Sequence, residues 1–257
     1  MLNSAYRLAF ILPVLAIAVV AASPPLPAGA GKAVDHGVYA ELLRRHVRNG
    51  QVDYDGFKQD EGKLDQYLAV LEAVDPQVLS TDERFAFYAN AYNAWTIKLI
   101  LGKYPGIDSI KQLGNFITSP WEKKIVHLNG QVLSLDNIEH DIMRPQFKDP
   151  RVHFAINCAA YSCPPLRSEP YEGSRLDAQL DDATRAFINN PGRNYLEGNT
   201  LYLSKIFKWF AEDFKDDPVA FVRRYAQGSL KNALSTIGSS LRVKYLPYDW
   251  SLNNKPQ

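Results

Sequence analysis

Apolar residues along the chain follow two periods. Leu64, Tyr67, Leu68 and Leu71 recur at three- and four-residue steps, which predicts a helix over 62–73 that Pro76 ends. Val38, Leu42 and Leu43 share one face of a shorter helix over 34–47. Ser80-Thr81-Asp82-Glu83 has the form of a capping box, in which the serine hydroxyl accepts an amide proton and Glu83 reaches back. The run 85–101 is then apolar nearly all round, and a helix without a polar face is enclosed on most sides. It is the predicted central helix of the fold, stopped by Gly102 and Pro105.

Shorter segments carry the other period. Val52-Asp53-Tyr54 reads as a brief extended piece. Residues 124–128 and 131–135 are predicted strands of a hairpin around Asn129-Gly130. Ser134 or Asp136 then caps a helix through Arg144, closed by Pro145. Alternation over 151–157 predicts a strand, and 174–189 an amphipathic helix. Residues 195–196 and 201–203 flank a Gly198-Asn199 turn; 205–214 and 218–225 read as helices and 242–246 as a late strand. Hairpins interrupt the helices without a regular βαβ alternation. The predicted class is therefore α+β, a single domain with a buried central helix, β-hairpins and a small mixed or antiparallel sheet.

The N-terminus stands apart. After Arg7, residues 8–22 are almost wholly apolar, and Ala28-Gly29-Ala30 fits the small-residue pattern that a signal peptidase accepts; Val20-Ala21-Ala22 is a second such site. The apolar stretch is shorter than the ~20 residues of a spanning helix and contains Pro13. The expectation is a signal peptide over 1–30, with a retained N-terminal anchor as the alternative, and a globular domain over 31–257. That domain is expected in the periplasm or outside the cell.

Charge narrows the partners. The chain has 29 basic and 28 acidic residues, and removal of 1–30 takes away only Arg7, leaving a neutral domain without a basic run. Such a surface offers no footprint for nucleic acid or for anionic lipid. No glycine-rich phosphate loop, dinucleotide fingerprint or Gly-x-Ser-x-Gly elbow occurs, and no cofactor is expected. A substrate or a protein partner of unspecified kind remains.

Candidate chemistry gathers in the middle of the chain. Ser134-Leu135-Asp136-Asn137-Ile138-Glu139-His140 is followed by Arg151-Val152-His153-Phe154-Ala155-Ile156-Asn157-Cys158 and by Ser162-Cys163-Pro164. Tyr88-Ala89-Asn90-Ala91-Tyr92-Asn93-Ala94 lies upstream, and Leu203-Ser204-Lys205-Ile206-Phe207-Lys208-Trp209 and Tyr248-Asp249-Trp250-Ser251-Leu252-Asn253 lie downstream. In these motifs the chain resembles the family known as domain of unknown function 547, from about Val52 to the end. The resemblance implies a fold group more than an activity, with a further likeness to papain-like cysteine hydrolases.

A cysteine becomes a nucleophile when a nearby histidine, cation or helix N-terminus stabilises its thiolate. Cys158 is the candidate nucleophile. If 151–157 is a strand, His153 and Cys158 point to opposite faces, which leaves His140 as the base. Asp136, four residues before His140, is placed to orient the imidazole. Glu139 takes either a structural ion pair or a share in the site. Asn90, Asn93, His153, Ser162 and Cys163 are candidate substrate contacts. The structural alternative has Asn90 and Asn93 pinning loops and the aromatic residues Tyr88, Tyr92, Trp95, Trp209 and Trp250 filling the core. Cys158 and Cys163 are the chain's two cysteines, so a disulfide is a further alternative, and their spacing is a poor match to zinc sites. Three functions follow: a cysteine-dependent hydrolase or acyl/peptidyl transferase first, a non-catalytic binding or scaffolding domain next, and a thiol–disulfide redox protein last.

Overall fold

A computed structural model of the chain describes residues 33–115, 117–237 and 240–255. The expected signal segment lies outside the described residues. One unit spans Gly31–Gln257. Its axis is the helix Thr81–Leu101, whose residues from Phe85 to Ala94 are all buried. Ser80 caps it through Oγ, which accepts from the Glu83 N–H at 3.3 Å. The helix Glu61–Glu72 packs beside it and the helix Gly37–His46 packs against Glu61–Glu72, each turning its apolar face into the shared core. A second core, built on Phe154, Phe187, Phe207 and Phe214, lies under the helices Leu176–Ile188 and Pro218–Tyr225.

The strands are short and form separate sheets, so the class is α+β as the pattern predicts. Val126–Leu128 pairs antiparallel with Gln131–Leu133. Asn129 and Gly130 both adopt positive φ, +47° and +71°, the pair of left-handed residues that a tight hairpin needs. Tyr195–Glu197 pairs antiparallel with Thr200–Leu203, which pairs parallel with Arg242–Tyr245. A third hairpin, Val47–Arg48 with Gln51–Val52, turns at Asn49-Gly50 by the same device and is not anticipated in the sequence reading. Nor is the helix Gly228–Thr236, which buries only Leu230 and Leu234.

Two differences from the predicted elements shape the site. Residues 151–157 do not form a strand: Val152–Ala155 is a helical turn. Asp149 Oδ1 accepts from the Arg151 N–H at 2.9 Å, and Pro150 pre-sets the first turn. A short apolar run reads equally as strand or buried helix, and here the Asp-Pro start decides it. The helix expected after Asp136 is instead a π-helix over Asn137–Met143, in which the Arg144 N–H reaches back five residues to the Glu139 carbonyl. It continues as the α-helical turn Arg144–Phe147, so Pro145 opens that turn rather than closing the helix. The predicted helix over 205–214 breaks at Phe210 into the turns Ile206–Trp209 and Ala211–Phe214.

Candidate functional site

The π-helix, the loop after Ala155, the turn around Trp209 and the chain's last segment converge on a cavity of about 210 Å³. Asp136, Glu139, His140, His153 and Cys158 all line it. In an α-helix, neighbours such as Glu139 and His140 diverge by about 100°. Here both line the cavity together with Asp136, Glu139 from its buried side and His140 from its exposed rim. The helical turn Val152–Ala155 also removes the basis for sending His153 and Cys158 apart, and the two share the cavity.

Glu139 is the buried carboxyl of the site, 9% exposed. Burial, reinforced by the nearby Asp136 charge, raises its pKa to about 7 against the opposing pull of Arg144 and of a hydrogen bond with Tyr92. Tyr92 reaches it from the central helix and is itself wholly buried, so its hydroxyl stays protonated. His153 Nδ1 lies 3.8 Å from Glu139 Oε1, just beyond hydrogen-bond length. The other ring nitrogen, Nε2, is 2.6 Å from Asp213 Oδ2. Arg144 Nε donates to the same oxygen at 2.6 Å. Burial would raise the Asp213 pKa, but the bonds from His153 and Arg144 outweigh it and hold the carboxyl well below the usual range. An ionised Asp213 requires a proton on His153 Nε2, which leaves Nδ1 bare toward Glu139. Burial keeps His153 neutral more strongly than Asp213 favours its cation.

His140 repeats this tautomer at the rim. Arg144 donates to its Nδ1 at 3.0 Å, and its Nε2 faces Asp136 Oδ1 at 4.0 Å. The expected Asp136–His140 pairing is thus in place, although longer than a hydrogen bond. Partial burial lowers the His140 pKa and raises that of Asp136.

Cys158 and Cys163 form a disulfide. Among the described residues, the side chain that bonds the sulfurs is Tyr248, not a histidine, with its hydroxyl 3.4 Å from Cys158 Sγ and 3.3 Å from Cys163 Sγ. The anticipated approach of His140 to Cys158 is therefore not a hydrogen bond. Asn93 fixes the cysteine loop from the central helix: Nδ2 donates to the Ala155 carbonyl at 3.0 Å, and Oδ1 accepts from the Asn157 N–H at 2.8 Å. Asn157 continues the scaffold, donating to the Pro164 carbonyl at 2.7 Å and accepting from the Ala159 N–H at 2.9 Å. Asn90 pairs in the same way with both backbone groups of Tyr171, at 2.8 and 2.9 Å. Neither asparagine lines the cavity; both are spent on holding loops. Ser162 is also scaffold, accepting from the Asp249 N–H at 2.9 Å, and Cys163 is buried behind Cys158.

The outer wall is aromatic. Trp209, 45% exposed, stands 4.7 Å from Tyr248 and 5.7 Å from Trp250 between ring centroids. Trp121 meets Trp250 edge-on, and Lys111 lies over the Trp250 ring at 4.1 Å. Trp209 and Trp250 thus form a cavity wall rather than core. The last segment reaches this position by bonding along the cysteine loop, with the Tyr161 N–H to the Ser251 carbonyl at 2.7 Å and the Asn253 N–H to the Ala159 carbonyl at 3.0 Å. Tyr92, Arg144, Asp213 and Tyr248 are functional candidates missed in the sequence reading. A charge at Asp213 is unremarkable until the fold sets it against His153. Among the described residues, no group of three His, Cys, Asp or Glu side chains is arranged to hold a metal ion.

Residues 76–188 match the family model described as "Protein of unknown function, DUF547". That segment is a DUF547 domain. It starts later and ends earlier than the motifs suggest, and it includes Tyr92, Asp136, Glu139, His140, His153 and both cysteines. Trp209, Phe210, Asp213, Tyr248 and Trp250 lie outside it, so the cavity is closed by parts of the chain beyond the DUF547 match. No curated protein and no solved structure matches the chain, and the likeness to papain-like hydrolases gains no counterpart from them.

Proposed function

We propose that the cavity is the site of a hydrolytic or acyl-transfer enzyme in which Glu139 gives and takes the proton. The observation that carries this reading is a carboxyl enclosed by Tyr92 and His153 at the inner end of a cavity with aromatic outer walls. A general acid–base is most effective when its pKa lies near the working pH, and burial tunes a carboxyl in that direction. Asp213 and Arg144 fix the His153 ring, so that its bare Nδ1 faces the Glu139 carboxyl across 3.8 Å and Glu139 exchanges its proton with the substrate. The cavity is smaller than the ~300 Å³ of a drug-sized site, which suits a single side chain or ring of a substrate packed against Trp209 and Tyr248.

The cysteine-dependent version of this chemistry requires a thiolate at Cys158, which exists only after the disulfide opens. Glu139 is available in either state. A binding domain without catalysis is the second reading, supported by the aromatic rim. The two separate in a turnover screen across ester, amide and glycoside substrates with the wild type and Glu139→Gln. Turnover of one class by the wild type and its loss in a folded Glu139→Gln variant supports the enzyme; equal turnover in both, or none in any class, refutes it.

We also infer export, on the apolar segment 8–22 and the small residues after it. A disulfide fits an oxidising compartment. N-terminal sequencing of the mature protein tests this: a start after Ala30 or Ala22 agrees, and an intact Met1 does not.

A further inference from the structure

The two sulfurs of the disulfide have different surroundings. Cys158 lines the cavity, whereas Cys163 is 3% exposed and lies behind it. Cys163 Sγ is also the focus of three donors: the backbone N–H of Cys158 at 3.2 Å, that of Ala160 at 3.4 Å and the Tyr248 hydroxyl at 3.3 Å. A disulfide sulfur is a weak acceptor and has little need of three donors. A thiolate at the same position gains from each of them. Tyr248, whose hydroxyl is also 3.4 Å from Cys158 Sγ, keeps its proton because burial pushes its pKa up, and the two backbone N–H groups are what set Cys163 apart. The donors are held in place independently of the sulfur. Ala159 sits at φ +62°, a strained conformation for a residue with a Cβ, and this turn aims the N–H groups inward. Asn157 holds the turn closed through the Ala159 N–H.

We propose that this disulfide is a thiol–disulfide exchange site, entered at Cys158 and left at Cys163. The reactant is a thiol on a short aliphatic arm, either a small free thiol or a cysteine side chain offered by another chain. Its thiolate attacks Cys158 Sγ from the cavity, in line with the S–S bond. A mixed disulfide forms at Cys158, the Cys158–Cys163 bond breaks, and the electron pair leaves on Cys163, where the three donors receive it. A second thiolate attacks the mixed disulfide and releases Cys158. The two thiols become one disulfide, the protein becomes a dithiol, and the two protons that the thiols gave up end on the two cysteines. Exchange is faster when the departing sulfur is the better thiolate, and the donors around Cys163 supply that preference. The activity does not depend on Glu139.

The test uses the oxidised, folded full chain with reduced glutathione in one arm and a short cysteine-containing peptide in the other. Acid quenching, alkylation of free thiols and fragment-ion mass spectrometry locate the adducts. The proposal expects the adduct on Cys158 and the alkyl label on Cys163 in at least one arm. The arm that reacts faster distinguishes a small thiol from a protein cysteine. Adducts shared evenly between the cysteines, adducts on Cys163, or no adduct until denaturant is added would overturn it. Tyr248→Phe removes one donor and keeps the ring, so it should slow adduct formation about fivefold without moving it. An unchanged rate in that variant, with wild-type thermal stability, counts equally against the proposal.

Discussion

Asp213 accepts from His153 Nε2 at 2.6 Å and so leaves the opposite ring nitrogen facing Glu139. The two residues are sixty positions apart in sequence. Their contact joins the DUF547 segment to the part of the chain that follows it.

Asp213→Asn keeps an acceptor for His153 but removes the charge that holds Arg144. At neutral pH the loss should be about 2 kcal/mol, the scale of a hydrogen bond to a charged group. The folded pKa of Asp213 is depressed, so its contribution is complete above the unfolded value near 4 and is lost as the pH falls through the folded value. Denaturant unfolding of both proteins from neutral pH downward should show the difference shrinking below about pH 4.

Glu139 works in the opposite direction. Its folded pKa is raised from 4.5 to about 7, so the buried neutral form favours folding most at acid pH. That advantage is complete below the unfolded value and is lost as the pH rises to the folded one, a swing of about 3 kcal/mol. Glu139→Gln lacks this titration. Relative to the wild type it should gain stability by roughly that amount between about pH 4 and 8, while losing activity. Chemical denaturation at the two ends of this range checks the sign.

Asn93→Ala strips partners from the Ala155 carbonyl and the Asn157 N–H, both in the buried cysteine loop. Two unsatisfied groups should cost about 2–4 kcal/mol. Asn93→Asp retains the acceptor and should be the milder change as measured by thermal unfolding. An Asn93→Ala protein as stable as the wild type would remove the scaffold role given to this residue.

Trp209→Ala should leave stability within about 1 kcal/mol, since the side chain is nearly half exposed. Any substrate found for the cavity should lose roughly tenfold in kcat/KM, through lost packing against the ring.

The sequence was most readable where a local rule governs. The central helix, its Ser80 cap and the Asn129-Gly130 hairpin follow from periodicity and turn chemistry alone. Asp136, Glu139, His140, His153 and Cys158 were singled out by residue type, and the fold gathers them around one cavity. Their mutual geometry was not readable. A π turn has the same composition as an α turn, so the form of Asn137–Met143 is not legible in the sequence. Val152-His153-Phe154-Ala155, after Asp149-Pro150-Arg151, fits strand and helix alike, so the facing of His153 is not legible in the sequence. Asp213 and Tyr248 reach the site only through tertiary packing, which no periodicity encodes.

The most direct measurement is the titration of the Glu139 carboxyl carbon by nuclear magnetic resonance in the folded protein, assigned with Glu139→Gln. The midpoint should lie near 7, with the neighbouring His153 titrating below its ordinary value. A midpoint at an ordinary glutamate value near 4.5 would mean that Glu139 is a solvated carboxylate, and the proposed proton transfer would have no group to perform it.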